Sequence, residues 1–125
     1  MSKNALLIIA HGSRKTSSND EVVTVVSKVK EELGDSFDSV SVAFLELARP
    51  SIEDGVRESI TEGATHITLV PYFLALGKHV SMDIPDIIQK QQLLYPNVTF
   101  KFTSHLGSQE GIITLLSDMA LESLR

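Results

Sequence analysis

The sequence predicts an α/β fold: a four-stranded parallel sheet with helices on both faces, in one domain spanning residues 1–125. Three observations lead there. Four β-like runs alternate along the chain with four helical patterns, the order that a parallel sheet with crossover helices requires. The first run is apolar at every position, as a strand covered on both faces should be. No Gly/Ser/Pro-rich stretch divides the chain, and 125 residues with 42% hydrophobic content suffice for one core without a low-complexity tract.

The elements follow in order. Ala5 to Ala10 is the first strand, and Val40 to Leu45 is the second. His66 to Tyr72 is the third. Val98 to Thr103 alternates apolar with polar side chains, which suits an edge strand. Between strands one and two, Ser18 with Glu21 reads as a capping box. Val22, Val25, Val26, Val29 and Leu33 form the buried stripe of that helix, and Gly34 stops it. Pro50 stands where a first-turn proline belongs, so a second helix runs from there to about Gly63. A third begins near Asp83 to Pro85 and ends before Tyr95-Pro96, because the residue ahead of a proline resists helix. Ser108 caps the last, whose Ile112, Ile113, Leu115, Leu116, Met119 and Leu124 are expected to face inward.

Composition narrows the function. With no cysteine, disulfides, thiolate metal sites and cysteine nucleophiles are excluded, so a bound metal must meet imidazole and carboxylate. A net charge of −5 argues against nucleic acid, which needs a basic stripe. The apolar run at residues 5–10 is too short to span a bilayer and lacks a signal-peptide cleavage site, so a soluble cytoplasmic protein is expected, with no membrane partner. No glycine-rich phosphate loop or dinucleotide fingerprint appears, hence no nucleotide cofactor.

Ligands of open parallel sheets bind beyond the carboxyl ends of the strands. His11-Gly12-Ser13-Arg14 lies just past the first strand and Glu46 just past the second, while Gly77-Lys78-His79 follows the third. Two imidazoles and a carboxylate therefore converge on one edge although they are distant in sequence. His66 starts a strand and belongs at the opposite edge, and His105 reads as a turn residue. Each side chain alone has a plainer role: a turn for His11, a solvated acid for Glu46, a surface loop for His79, solvated charge for Arg14 and Lys15.

The segments Ile9-Ala10-His11-Gly12-Ser13-Arg14, Phe44-Leu45-Glu46-Leu47-Ala48-Arg49-Pro50, and Pro71-Tyr72-Phe73-Leu74 continuing through Gly77-Lys78-His79 to Asp83-Ile84-Pro85 resemble the class II tetrapyrrole chelatases. Among these the chain is most similar to the short sirohydrochlorin cobaltochelatases of the CbiX type. The resemblance covers nearly the whole chain. It implies a flavodoxin-like (chelatase-like) lobe, metal insertion without ATP, and site residues matching His11 and His79, with Glu46 as third participant. It also implies a homodimer with the site in the cleft between subunits, since larger relatives carry two such lobes in one chain.

On this reading the divalent metal is a substrate, Co2+ favoured, with Fe2+ and Ni2+ as alternatives; imidazole with carboxylate suits all three. His11, His79 and Glu46 share ligation and removal of the pyrrole protons, because imidazole titrates near neutrality. Sirohydrochlorin carries many carboxylates, so local cations must oppose the acidic whole. Arg14, Lys15, Arg49 and Lys78 are the candidates, with Ser13 and the backbone at Gly12 adding hydrogen bonds. Phe73, Leu74 and Leu76 would suit the flat ring face, or the core. Two rivals remain: a non-catalytic carrier of metal or tetrapyrrole, and a phosphate-transfer enzyme using His11, against which stands Ala10 in place of the arginine that precedes His-Gly in such enzymes.

Overall fold

The computed structural model describes residues 2–125. Strands β1 (Asn4–Ala10), β2 (Ser39–Phe44), β3 (His66–Pro71) and β4 (Thr99–Phe102) form one parallel sheet in the order β2-β1-β3-β4. Helices α1 (Thr16–Leu33), α2 (Ile52–Thr61), α3 (Lys78–Leu94) and α4 (Glu110–Glu122) alternate with them, and short 3₁₀ turns at Gly34–Ser36 and Leu106–Ser108 follow α1 and β4. The α/β class and the four-stranded parallel sheet are as the sequence predicts, and β4 is indeed an edge.

Strand β1 is central, and its alternation sorts the core. Ala5, Leu7 and Ile9 face one side, where they pack with Ile67 and Leu69 of β3, Ile52 and Val56 of α2, and Ile84 of α3. Leu6 and Ile8 face the other side, where Val26 is the one fully buried contribution of α1. Both faces of β1 are thus covered, which is why its sequence carries no polar position between Ala5 and Ala10. Each fully buried Leu or Ile contributes about 1.5–3 kcal/mol.

Helix boundaries differ from the sequence reading, each for a local reason. Helix α1 starts at Thr16, so Ser18 lies inside it and no Ser18/Glu21 box forms; Lys15 occupies the cap position with extended backbone and no side-chain cap bond. Of its stripe only Val26 is buried, while Val25 is 37% exposed. Helix α2 starts at Ile52, capped by the Ser51 hydroxyl, which accepts from the Asp54 N–H. Pro50 therefore precedes the helix, across a cis bond from Arg49. Helix α3 begins at Lys78 and holds Pro85 in its interior; Val80 and Ile84 pack on the core, and this burial outweighs the hydrogen bond that proline cannot make. The largest departure is α4. Gln109, not Ser108, occupies its cap position, and no residue of α4 is buried, so the apolar side chains expected to face inward do not.

Candidate active site

The carboxyl edge of the sheet is built by continuing the β1–β2 ladder past both strands. Leu45 N–H donates to Ala10 O (2.9 Å) and Glu46 N–H donates to His11 O (3.0 Å), so the residues after the two strands run side by side. Gly12 makes this possible. It sits at φ +95°, and a Cβ there would lie 1.8 Å from Glu46 O, so only glycine lets the two backbones meet. The Phe44 N–H in turn donates to Pro50 O at 2.8 Å, closing residues 45–50 into a short excursion that presents Glu46. Leu47 within it holds φ +64°, an uncommon conformation for a non-glycine side chain.

This backbone register brings His11 Nε2 to 3.2 Å from Glu46 Oε1. The two side chains are 55% and 57% exposed, so a ligand approaching the edge can reach both. Two donors bound at about 2.1 Å to one first-row ion, at angles between octahedral and tetrahedral, stand roughly 3.0–3.4 Å apart. The pair is a hydrogen bond, and its 3.2 Å separation is one that two adjacent ligands of one ion also span. Behind it, Tyr72 N–H donates to Ile9 O (2.7 Å) and ties the β3 exit to β1. The next residue, Phe73, is buried, and its ring centroid lies 6.5 Å from that of His11 at a 44° tilt. Phe73 thus backs the imidazole from the core and does not offer itself to a ligand. Leu74 and Leu76 are exposed on the same edge, as is Leu47.

His79, the second residue of α3, is exposed beyond the carboxyl end of β3. It does not join the pair: among the described residues no three His, Asp or Glu side chains are grouped so as to hold one ion. His66, by contrast, starts β3 at the far edge, its Nδ1 2.8 Å from Thr65 Oγ1, as its sequence position implied. Arg14, Lys15, Arg49 and Lys78 are all exposed, and among the described residues none is in an ion pair. They remain available to anions.

Ser13 is held by a residue the sequence reading passed over. Asn19 Oδ1 accepts from Ser13 N–H (2.9 Å) while Asn19 Nδ2 donates to Ser13 O (2.8 Å), and Ser13 Oγ accepts from Lys15 N–H (3.0 Å). This clasp fixes the loop between His11 and α1. An amide six residues along, inside a helix, follows no periodicity that would betray it.

Comparisons with known proteins bear on the family and the fold. The model of the CbiX family matches residues 5–123. A sirohydrochlorin ferrochelatase of Priestia megaterium is 36% identical over 120 residues, 96% of this chain and 44% of that protein. The solved structure of a protein described as CbiX, from Marinobacter aquaeolei VT8, superposes with a TM-score of 0.80 at 26% identity and covers 97% of both chains. The sirohydrochlorin chelatase SirB of Bacillus subtilis subspecies spizizenii, solved in complex with cobalt, gives a TM-score of 0.82 at 29% identity over 96% of this chain and 50% of that one. The chain spans about half the length of the curated relatives it matches first. By the extent of the family match, this chain belongs to the CbiX family.

Proposed function

We propose that the chain inserts a divalent metal ion into sirohydrochlorin without ATP, in the cytoplasm, as a step of cobalamin- or sirohaem-type tetrapyrrole synthesis. The observation that carries the reading is the exposed His11–Glu46 pair, whose 3.2 Å separation matches the span of adjacent ligands on one ion. The ion enters as substrate. Two pyrrole N–H bonds break, two metal–nitrogen bonds replace them with a further two from the remaining ring nitrogens, and two protons leave. His11 and Glu46 hold the ion. His79, set apart on α3, completes the hand-over, taking a proton or a coordination position as the ring arrives.

Arg14 and Lys78, with Lys15 and Arg49 beside them, meet the substrate's carboxylates, and the Ser13 loop adds hydrogen bonds. The exposed Leu47, Leu74 and Leu76 give the ring an apolar surface. Residues 1–125 act as one lobe, and two copies face one another across the macrocycle; the support is that the Priestia megaterium ferrochelatase and the cobalt-bound SirB are about twice as long, while the Marinobacter aquaeolei protein is as short as this chain. Cobalt is the favoured ion from the resemblance of the motifs, yet relatives of this chain include both a ferrochelatase and a cobalt-bound chelatase.

The test is anaerobic insertion under multiple turnover, followed by the absorbance change of the macrocycle, with Co2+, Fe2+ and Ni2+ offered in turn. His11→Ala and His79→Ala should each abolish turnover and leave the circular dichroism unchanged, because both side chains are exposed. Wild-type rates in both variants would overturn the assignment. A stoichiometric spectral change without turnover would mean a carrier instead.

A further inference from the structure

Strands β3 and β4 end at Pro71 and Phe102, and the chain leaves them toward α3 and toward the 3₁₀ turn Leu106–Ser108. Between these exits and the first turns of α3 lies a cavity of about 260 Å³. Pro71, Val80, Ile84 and Phe102 give it apolar walls, and among the described residues no Asp or Glu lines it. The strand order β2-β1-β3-β4 sets it on the same carboxyl edge as the His11–Glu46 pair, displaced from the pair along the sheet.

Its polar lining consists of Ser81, Thr103, Ser104, His105 and Ser108. Three of these already donate their protons to backbone: Ser81 Oγ to Lys78 O (2.8 Å), Thr103 Oγ1 to Ser104 O (3.2 Å) and Ser108 Oγ to His105 O (2.7 Å). The other two are neighbours in sequence. Among the described residues the imidazoles with hydrogen-bond partners are those of His11 and His66, so the His105 ring and the Ser104 hydroxyl both have donors to give. His105 is also half-buried, which limits how well water serves it. An imidazole carries at least one N–H in either tautomer, and the strongest acceptor for it is an anion.

Size and distance say which anion. Sites that enclose a whole drug-sized ligand run to about 300–1,000 Å³, so this cavity takes an arm of a ligand and leaves the body outside. Apolar walls suit methylene groups, and two donors side by side suit a carboxylate. Neighbouring strands lie about 4.8 Å apart, so an ion between the exits of β1 and β2 stands about two spacings, roughly 10 Å, from the middle of β3 and β4. On a tetrapyrrole centred at that ion, the carboxylate oxygens of an acetate or propionate arm stand about 8–9 Å out, counting about 2 Å to the ring nitrogen and about 1.2 Å of net reach per bond beyond. A charged hydrogen bond spans about 2.8 Å more, which brings such an arm into the cavity.

We propose that His105, with Ser104 beside it, binds one peripheral carboxylate arm of the tetrapyrrole in this cavity. The substrate class rests on the function proposed above; the subsite rests on the lining. An ion at the centre of a macrocycle leaves the ring free to rotate about its own axis. An arm held past β4 removes that freedom and presents the same pyrrole nitrogens at each encounter. His105 is thus a specificity-determining residue and takes no part in moving protons or metal.

The experiment measures binding of metal-free sirohydrochlorin by absorbance titration, and insertion kinetics separately, for the wild-type chain, His105→Leu, His105→Gln and Ser104→Ala. His105→Leu should raise both Kd and KM for sirohydrochlorin about tenfold, the scale of one charged hydrogen bond, with kcat, metal affinity and circular dichroism unchanged. His105→Gln, which keeps a donor, should recover part of the loss, and Ser104→Ala, an exposed position, should lose several-fold. With the arms methyl-esterified, the His105→Leu penalty should shrink to about twofold or less, because the charge it meets is gone. An unchanged Kd in both His105→Leu and Ser104→Ala, a fall in kcat at unchanged Kd, or a penalty that persists in full on the ester would each overturn the subsite. A chain that binds sirohydrochlorin with this dependence on His105 and inserts no metal would leave the subsite standing and remove the chelatase reading. Wild-type turnover with His105→Leu unaffected would do the reverse.

Discussion

Replacing Gly12 by Ala tests whether the ladder beyond β1 and β2 is what creates the His11–Glu46 pair. Gly63 provides a matched control, since its φ of +103° is close to the +95° of Gly12. An alanine at either position carries a left-handed strain of about 1–2 kcal/mol, offset by roughly 0.5 kcal/mol because glycine disorders the unfolded chain more. The surroundings then separate them. At Gly63 the new Cβ meets the flexible end of Lys3 at 3.3 Å, which can swing aside.

At Gly12 it meets the backbone oxygen of Glu46 at 1.8 Å, so the strand exit itself must move by more than an ångström. That displacement breaks the Glu46 N–H bond to His11 O, about 1 kcal/mol, and forces repacking worth about 1–3 kcal/mol more. Gly63→Ala should therefore cost about 1 kcal/mol and Gly12→Ala about 3–5 kcal/mol, or melting shifts of roughly 4 °C and 12–20 °C for a domain of this size. Thermal unfolding by circular dichroism reads the difference, and metal binding should fall with Gly12→Ala alone. Equal shifts in the two variants would refute the idea that the close approach, beyond the dihedral, sets the site.

Further expectations follow from other parts of the structure. Ile67→Ala removes a fully buried side chain from the centre of the larger core and should cost about 2–5 kcal/mol in urea unfolding. Ser51→Ala deletes the cap of α2 and should cost about 1 kcal/mol, with Ser51→Thr restoring most of it. Asn19→Ala opens the clasp on Ser13, so KM for the tetrapyrrole should rise several-fold while metal affinity, measured by calorimetry, stays unchanged. His11→Ala and Glu46→Ala should each weaken metal binding at least tenfold, whereas His79→Ala should leave it intact and abolish turnover. Equal losses of binding in all three would place His79 in the resting ligand set.

The parts of this molecule that were legible in the sequence are those whose position follows from period and strand ends. β1 could be read because a strand covered on both faces admits no polar residue. His11 and Glu46 could be brought together because each lies one or two residues past a strand, and parallel neighbours put such residues on one edge. Helix starts were less legible. The beginning of α1 depends on Asn19 holding Ser13 and on an extended Lys15, while the serine that actually caps α2 stands one residue after a more conspicuous proline. Pro85 masked the first two turns of α3, since its cost is local and the gain from Val80 and Ile84 is tertiary. For α4 the helix was legible and the inward face was not: its apolar residues lie on more than one side, and none of them is buried.

The same distinction bears on the site. A resident metal cofactor would favour a closed set of ligands already gathered in the free protein, with second partners fixing each imidazole. Here two donors stand at ligand spacing, more than half exposed, and the third titratable candidate sits on a different element. A pair would leave most coordination positions of a first-row ion to water, so on the proposed reading its hold should be weak. For an ion that must be stripped of water and passed to four ring nitrogens within one turnover, that is the useful arrangement. Each ligand added to the resting set would slow release, and each one removed would slow capture. On the proposed chelatase reading, the separation of His79 from the His11–Glu46 pair is the feature that would suit a metal in transit over a metal retained.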